Sequence, residues 1–273
     1  MQKENFVHTL SLYICFIFLS QFIFAQGELA PEARVVTTNE HSFLFAINSN
    51  GSMFSFQHGK RLDGFRKRTV DFDFTYIKHP KEIRVENPYY QSQKKFVFGK
   101  LYSMFAIRAG IGKQKEIFSI FDKGGIAIRL HYSIGGTLGL LKPIYYEVVD
   151  SSKIYDNYEV LYISDKQFDY NIHQISDIYS RSSFFKGINE TKIVPGAYFK
   201  AGMSFVFSEK QEAINALEVG AICDVFTKPI QIMATESKNR YIISLYVGYR
   251  FGRIKVKNRD SKQLIETGNE TSD

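Results

Sequence analysis

The chain has 273 residues, and its 35 Lys and Arg against 28 Asp and Glu give a formal net charge of +7. The basic residues alternate with acidic ones instead of forming one basic, aromatic face, which disfavours nucleic-acid binding. Of the two cysteines, Cys15 lies in an apolar N-terminal run and only Cys223 lies beyond it, so a disulfide framework is excluded.

The N-terminus has the order of a secretory signal peptide. Lys3 is followed by a mostly apolar run over 7–24 and by Ala25, the small residue that a signal peptidase requires. We predict a signal peptide over 1–25, cleaved after Ala25 or Gln26. An uncleaved anchor is the alternative, because the run approaches the length of a membrane span. No later segment is apolar and long enough for a membrane helix, so a membrane-spanning chain would have to cross with strands.

From residue 41 the chain breaks into about eight runs in which apolar and polar residues alternate, the pattern of β-strands. The runs cover 41–48, 52–60, 67–79, 98–112, 125–141, 195–208, 213–227 and 240–252. The last is the clearest, because every second residue from Tyr241 to Phe251 is bulky and apolar. The Asn50-Gly51 pair predicts a tight hairpin between the first two runs.

The connections between the runs differ in length from one end to the other. If both chain ends lie on one side, that side has turns over 61–66, 113–124 and 209–212. The opposite side has the Asn-Gly turn and loops over 80–95, 149–194 and 228–239. Short turns on one side and long loops on the other are typical of bacterial outer-membrane barrels.

Alternation alone does not say which face is inside, so a soluble barrel with a bulky interior is the alternative. The polar faces carry glycine, serine and charges of both signs, which favours a narrow polar interior and a lipid-facing exterior. We therefore predict an all-β fold: a closed antiparallel transmembrane β-barrel of up-and-down topology with about eight strands, ten being possible.

The chain also resembles the small outer-membrane β-barrel proteins of Bacteroidota, a group with uncharacterised members. The resemblance is carried by the leader ending Phe-Ala-Gln, by the closing Tyr-Val-Gly-Tyr-Arg-Phe-Gly over 246–252, and by the stretches 59–61, 74–82 and 140–143. It implies a cell outer-membrane location. From this resemblance and the connection lengths, we predict a periplasmic segment over 26–40, a barrel over 41–254 with a long extracellular loop over 149–194, and a disordered periplasmic tail over 255–273.

Charged residues on the inward faces predict a lumen filled with ion pairs, because a buried charge that lacks a partner costs several kcal/mol. We expect Asp71 and Asp73 to face Arg108 or Lys100 on the next strand. Glu218 or Asp224 would lie between Lys200 and Arg250. The predicted network comprises Asp71, Asp73, Lys100, Arg108, Arg129, Lys200, Glu218, Asp224 and Arg250.

The 149–194 loop is much longer than a connection requires, and its tyrosines suit protein contact. The predicted contact residues are Tyr155, Tyr158, Tyr162, Tyr170 and Tyr179. A loop that merely covers the barrel mouth is the alternative.

These patterns predict a non-enzymatic structural or accessory subunit of an outer-membrane complex. It would contact outer-membrane lipids, lipopolysaccharide and a protein partner, with no nucleic acid, cofactor, metal or small-molecule substrate. A narrow porin-like diffusion channel is the second hypothesis. A lipid A or phospholipid-modifying enzyme, suggested by His131 and Ser133 on one strand face, is the third.

Overall fold

The computed structural model describes residues 37–90, 94–118, 126–155, 158–169, 171–207, 213–234 and 238–256. The predicted signal peptide, most of the 26–40 segment and most of the C-terminal tail lie outside these residues. In the described part of the chain, no helix has both the length and the hydropathy to cross a bilayer.

Eight long antiparallel strands close into a barrel in which each strand pairs with its sequential barrel neighbour and the last pairs with the first. The predicted eight-stranded, up-and-down closed barrel is therefore confirmed. The barrel strands are β1 (Thr37–Asn48), β2 (Gly51–Arg61), β3 (Arg66–Ile77), β6 (Tyr102–Phe118), β7 (Ala127–Pro143), β11 (Lys192–Val206), β12 (Ala213–Ile230) and β13 (Asn239–Val256).

Five further strands lie outside the barrel wall. A two-stranded sheet pairs β4 (Arg84–Val85) with β5 (Phe96–Val97). A three-stranded sheet consists of β8 (Tyr145–Tyr155), β9 (Tyr158–Gln167) and β10 (Ile178–Arg181). The strand order in this sheet is β10-β8-β9. Much of the predicted 149–194 loop is thus a hairpin with an added strand.

Two predicted connections differ from the structure. Residues 113–118 continue β6 instead of turning, because the inward and outward alternation persists through Gln114, which is buried between exposed Lys113 and Lys115. In the first hairpin the two turn residues are Ser49 and Asn50, since Asn48 pairs with Gly51. Gly51 has φ 150°, and a Cβ there would lie 1.9 Å from the Tyr76 carbonyl oxygen, so no other residue fits.

Side chains alternate between the lumen and the exterior as the sequence predicts. In β13, Ile243 and Leu245 are each 63% exposed whereas Ser244 between them is 0% exposed. The same holds in β3, where Phe72 is 52% exposed and Asp73 is 0% exposed. On these strands the bulky apolar residues therefore face outward and the charges face inward, opposite to the arrangement expected of a soluble barrel with a bulky interior.

The two ends of the barrel are different. We call the end at which the chain enters β1 and leaves β13 the lower end; its one fully described connection is the short turn over 62–65. At the opposite, upper end the connections span 49–50, 78–101, 144–191 and 231–238. Three of the four upper connections are long, as predicted.

Candidate functional site: the filled lumen and the upper cap

An apolar plug fills the upper end of the lumen. It combines inward residues from the upper ends of five strands with the segment that follows β12. Its buried members are Ile77, Met104, Ala106, Leu141, Val194, Phe226, Ile230, Ile232 and Met233. The sequence analysis predicted a lumen filled with ion pairs and did not find this apolar plug.

Below the plug, two ion pairs cross the barrel between strands that are not neighbours. Arg108 of β6 holds Asp224 of β12 through both carboxylate oxygens, with N to O distances of 2.7 and 2.6 Å, and donates to Thr75 at 2.6 Å. Lys200 of β11 donates to Asp73 of β3 at 2.9 Å. The four charged side chains are completely buried. Because each charge has an opposite partner, the lumen is closed here without an isolated buried ion.

A second network lies around Glu218 of β12. Arg250 donates to Glu218 from both Nε and Nη2, at 2.5 and 3.1 Å, and from Nη1 to Ser42 at 2.9 Å. The Tyr246 hydroxyl donates to Glu218 at 3.0 Å. The Nε2 atom of His131 lies 2.9 Å from that hydroxyl and 3.2 Å from Glu218. The Glu218 carboxylate is thus in contact with a guanidinium group, a phenol and an imidazole.

Inward glycines make room for these side chains. A Cβ at either Gly202 or Gly220 would lie 2.7 Å from the Tyr246 hydroxyl, besides striking the backbone of the neighbouring strand. A Cβ at Gly110 would similarly lie 2.6 Å from the Tyr198 hydroxyl. A barrel of eight strands is just wide enough for its interior side chains, so large inward residues require small neighbours.

The lower end of the lumen holds a further cluster of charges. Lys67 of β3 donates to Glu40 of β1. Arg129 of β7 lies 3.8 Å from Glu40 and 3.5 Å from Glu116. Sequence reasoning included Arg129 but missed its partners, since Glu40 precedes the first predicted run and Glu116 falls in the region predicted as a turn.

Lys100 is the one predicted lumen residue that lies outside the barrel strands. It precedes β6, donates to Glu82 at 2.5 Å, and its backbone bridges to Met233. Asp71 accepts from Gln57 at 2.8 Å and lies 3.8 Å from Lys200. The structure therefore brings eight of the nine predicted residues into the lumen, although mostly with partners other than those expected.

Above the plug, the three long upper connections pack together into one body, which we call the cap. The Leu101 amide donates to Ile232 at 2.9 Å, and the Ala234 amide donates to Gly99 at 2.8 Å. The side-chain amide of Asn87 donates to the Ile178 carbonyl at 2.7 Å. These bonds join segments that are far apart in sequence, which is why reasoning from local patterns did not find the cap.

The cap has a hydrophobic core of its own. Its buried residues are Phe96, Ile144, Tyr146, Val148, Phe168 and Ile178. The Tyr146 hydroxyl lies 2.6 Å from the Val97 carbonyl and 2.9 Å from that of Lys100, and burial raises the pKa of this phenol above its ordinary value. The period-2 pattern of buried Ile144, Tyr146 and Val148 was the available sequence signal for this sheet.

Ion pairs on the cap surface tie the β9 strand to the segment that follows β10. Lys186 and Ser182 both donate to Asp165, and these hydrogen bonds lower the pKa of its carboxyl group below the ordinary value. Lys166 and Asp150 form a second pair across the β8–β9 hairpin. Both contacts are partly exposed, so they orient the sheet more than they stabilise it.

The cap exposes several large apolar residues. Tyr89 is 75% exposed, Phe185 is 74% exposed and Tyr162 is 45% exposed. Among the predicted contact residues, Tyr179 is half-buried with its ring 5.2 Å from that of Tyr90. Tyr155 and Tyr158 pair at the end of the β8–β9 hairpin, but their side chains, like the whole of Tyr170, lie outside the described part of the structure.

The possible catalytic pair is not assembled as such. His131 and Ser133 both point into the lumen and both are buried, but the imidazole Nε2 contacts Tyr246 and Glu218. The Ser133 side chain lies beside the Tyr198 phenol of the neighbouring strand and is not among the contacts of the imidazole. The described part of the chain contains no group of three or more His, Cys, Asp or Glu side chains arranged to hold a metal ion.

Comparison with known proteins returns small barrels among solved structures. Neisserial surface protein A is 8% identical, with a TM-score of 0.35, over 80% of this chain and 96% of that one. Ail, the attachment invasion locus protein of Yersinia pestis, in complex with the heparin analogue sucrose octasulfate, is 9% identical, with a TM-score of 0.36, over 79% and 97%. Ail in a second structure is 5% identical, with a TM-score of 0.31, over 79% and 94%.

No family model and no curated protein matches the chain. The likeness to the solved barrels is one of architecture, at identities too low to transfer a ligand or a partner. The class that the fold defines is the small, closed, antiparallel eight-stranded barrel.

Proposed function

We propose that this chain is a non-enzymatic outer-membrane barrel that serves as a structural or accessory subunit, with its cap presented to a protein partner outside the cell. The main support is the division between a lumen closed by the plug and the ion pairs and a folded cap with exposed aromatic residues. Placement in a Bacteroidota outer membrane, behind a cleaved signal peptide, remains a prediction from the sequence motifs.

The apolar exterior supports the membrane assignment. On β13 the outward residues from Tyr241 to Phe251 are all large and exposed. Ten residue steps at about 3.3 Å on a strand tilted by about 40° span roughly 25 Å, the height of the apolar band of outer-membrane barrels. Because long loops of such barrels face the cell exterior, the cap would be extracellular and the lower end periplasmic.

The channel hypothesis makes the opposite prediction about the lumen. A diffusion path would need to pass the apolar plug and two layers of paired buried charges. We expect the wild-type barrel to show no steady single-channel steps in planar bilayers. We expect the same of the Phe226→Ala variant, in which a large side chain of the plug is shortened. Reproducible open-channel steps from the wild type would favour the diffusion channel.

Partner contact is tested by photo-crosslinking on intact cells of the source organism. A photoreactive residue at Tyr162 or Phe185 of the cap should form adducts with one protein. The same residue at Ile243 should react only with lipid, because Ile243 lies in the band of outward apolar residues around the barrel, which we call the apolar belt. Substituting Tyr162→Ala and Phe185→Ala together should abolish co-purification of that protein. Absence of protein adducts from both cap positions would contradict the proposal.

A further inference from the structure

A set of basic side chains points outward at the lower end of the barrel. We call it the basic arc and define it as Lys60 on β2, Arg68 on β3, Lys113 and Lys115 on β6, and Arg253 on β13. All five are exposed, and none takes part in an ion pair within the described residues. The arc covers consecutive strands of the closed sheet, since β1 joins β13 to β2.

The strand register places three of these charges side by side. Lys60 is directly opposite Arg68, and Arg68 is directly opposite Lys113. Directly opposed residues on one face have Cβ atoms about 5 Å apart, and like charges at that spacing destabilise a sheet. A row of three cations across three strands therefore calls for anions, and no acidic side chain on the described outward faces of these strands supplies them.

The acidic residues of the same strands all point the other way. Glu40, Asp71, Asp73 and Glu116 face the lumen, and each lies within 4 Å of a lysine or arginine nitrogen there. Outward positions on β1, β2, β3, β6 and β13 hold apolar, uncharged polar, histidine or basic residues. The acidic residues of these strands thus all face the lumen, where cations pair with them, whereas the charged residues on the outward faces are all basic.

The arc lies at the edge of the apolar belt. Arg68 is two residues below Val70, which is 51% exposed, and Lys113 is two residues below Ile111, which is 52% exposed. A side chain one outward step beyond lipid-facing residues reaches the headgroup layer, where long basic side chains extend towards phosphates. At the lower ends of β7 and β11 the outward residues are apolar, with Ile126 54% exposed and Phe207 49% exposed.

We propose that the basic arc binds anionic phospholipid headgroups in the inner leaflet of the membrane that the barrel spans, and so recruits these lipids to one side of the barrel. The proposal rests on the proposed function, because it requires the apolar belt to lie in a bilayer with the lower end periplasmic. The headgroup phosphates supply the anions that the row of cations lacks.

The test is native mass spectrometry of the refolded full chain, titrated with phosphatidylglycerol, phosphatidylcholine and lipid A. The wild type should bind phosphatidylglycerol about tenfold more tightly than phosphatidylcholine, since each basic residue at a membrane surface adds a modest attraction to anionic lipid. The quadruple variant Lys60→Gln, Arg68→Gln, Lys113→Gln and Lys115→Gln should lose this preference.

A matched variant removes the same number of charges from the upper end: Lys78→Gln, Lys192→Gln, Lys228→Gln and Arg240→Gln. It should keep the preference. The proposal is overturned if the wild type shows no preference, if both variants lose it equally, or if lipid A occupies the arc more tightly than phosphatidylglycerol. Should the arc variant fail to fold, salt provides the second measurement, because a preference that persists in about 1 M salt is not electrostatic.

Insertion into neutral phosphatidylcholine vesicles separates this inference from the function it rests on. Failure of the wild type to insert there, measured by protease protection, would defeat the membrane assignment itself. Insertion without a preference for phosphatidylglycerol would defeat only the lipid-binding arc.

Discussion

At the scale of single residues, the lumen is organised by charges that reach past their nearest neighbours. Asp73 and Arg108 are directly opposite on adjacent strands, yet Arg108 bonds to Asp224 across the barrel and Asp73 bonds to Lys200. Both cross-barrel contacts link strands that local pairing keeps apart. Each therefore ties opposite walls of the barrel together.

Removing one member of such a pair should be costly. We expect Asp224→Asn to lower the free energy of unfolding by about 3–5 kcal/mol, because the Arg108 guanidinium is left buried and unpaired. The measurement is urea-induced unfolding in lipid vesicles. Glu86→Gln, which breaks the exposed pair with Lys95, should change stability by less than about 1 kcal/mol. Equal effects of the two substitutions would show that the lumen pair is not desolvated.

At the scale of elements, the cap sheet is connected to the rest of the cap by side chains that titrate. Asp165 on β9 accepts from Lys186 and Ser182, and the hydrogen bonds, led by that from Lys186, lower its pKa below the ordinary value of 3.8. A depressed pKa contributes stability that is fully present above the unfolded value and is lost as the pH falls through the folded value.

Amide hydrogen exchange over 182–187 should therefore be slow and nearly constant from pH 7 to about pH 4, after correction for intrinsic rates, and should accelerate at lower pH. Asp165→Asn should produce the faster exchange already at pH 7. Asp63→Asn, which alters a carboxyl group in the lower turn, serves as the control and should leave the cap unchanged. Indistinguishable exchange in the wild type and Asp165→Asn would mean that the contact does not order this segment.

At the scale of the whole molecule, the two ends of the barrel are chemically different. The upper end has a folded cap with its own apolar core, whereas the lower end has the short turn over 62–65 and the basic arc. Under the proposed function, this asymmetry predicts a single orientation in the membrane, with the cap outside.

Cysteine accessibility tests that orientation. In a Cys223→Ala background, Tyr162→Cys in the cap should react with a membrane-impermeant maleimide on intact cells. Asp63→Cys in the lower turn should react only after the outer membrane is permeabilised. Labelling of Asp63→Cys on intact cells, without labelling of Tyr162→Cys, would establish the reversed orientation.

Much of this architecture was accessible from residue patterns. The alternation of apolar and polar residues identified all eight barrel strands and which residues share a face, because a strand's two-residue period is a local property. The inward face was predicted from composition, since the polar faces carry glycine, serine and charges of both signs. Strand ends were less well predicted, as at 113–118, where the high content of charge and glutamine resembled a turn although the period continued. The first turn lies at Ser49-Asn50, one residue before the predicted Asn50-Gly51 pair, because strand pairing decides where a turn begins.

The sequence by itself determined the strands, their inward and outward faces and the sorting of charges into the lumen. Only the tertiary structure decided which charges pair across the barrel, that Phe226 and its neighbours plug the upper mouth, and that three distant connections form one cap. The physical reason is the separation along the chain over which each property acts. Periodicity acts between residues two apart in the chain, whereas lumen pairing and cap assembly depend on barrel closure, which brings together residues more than a hundred positions apart, such as Arg108 and Asp224.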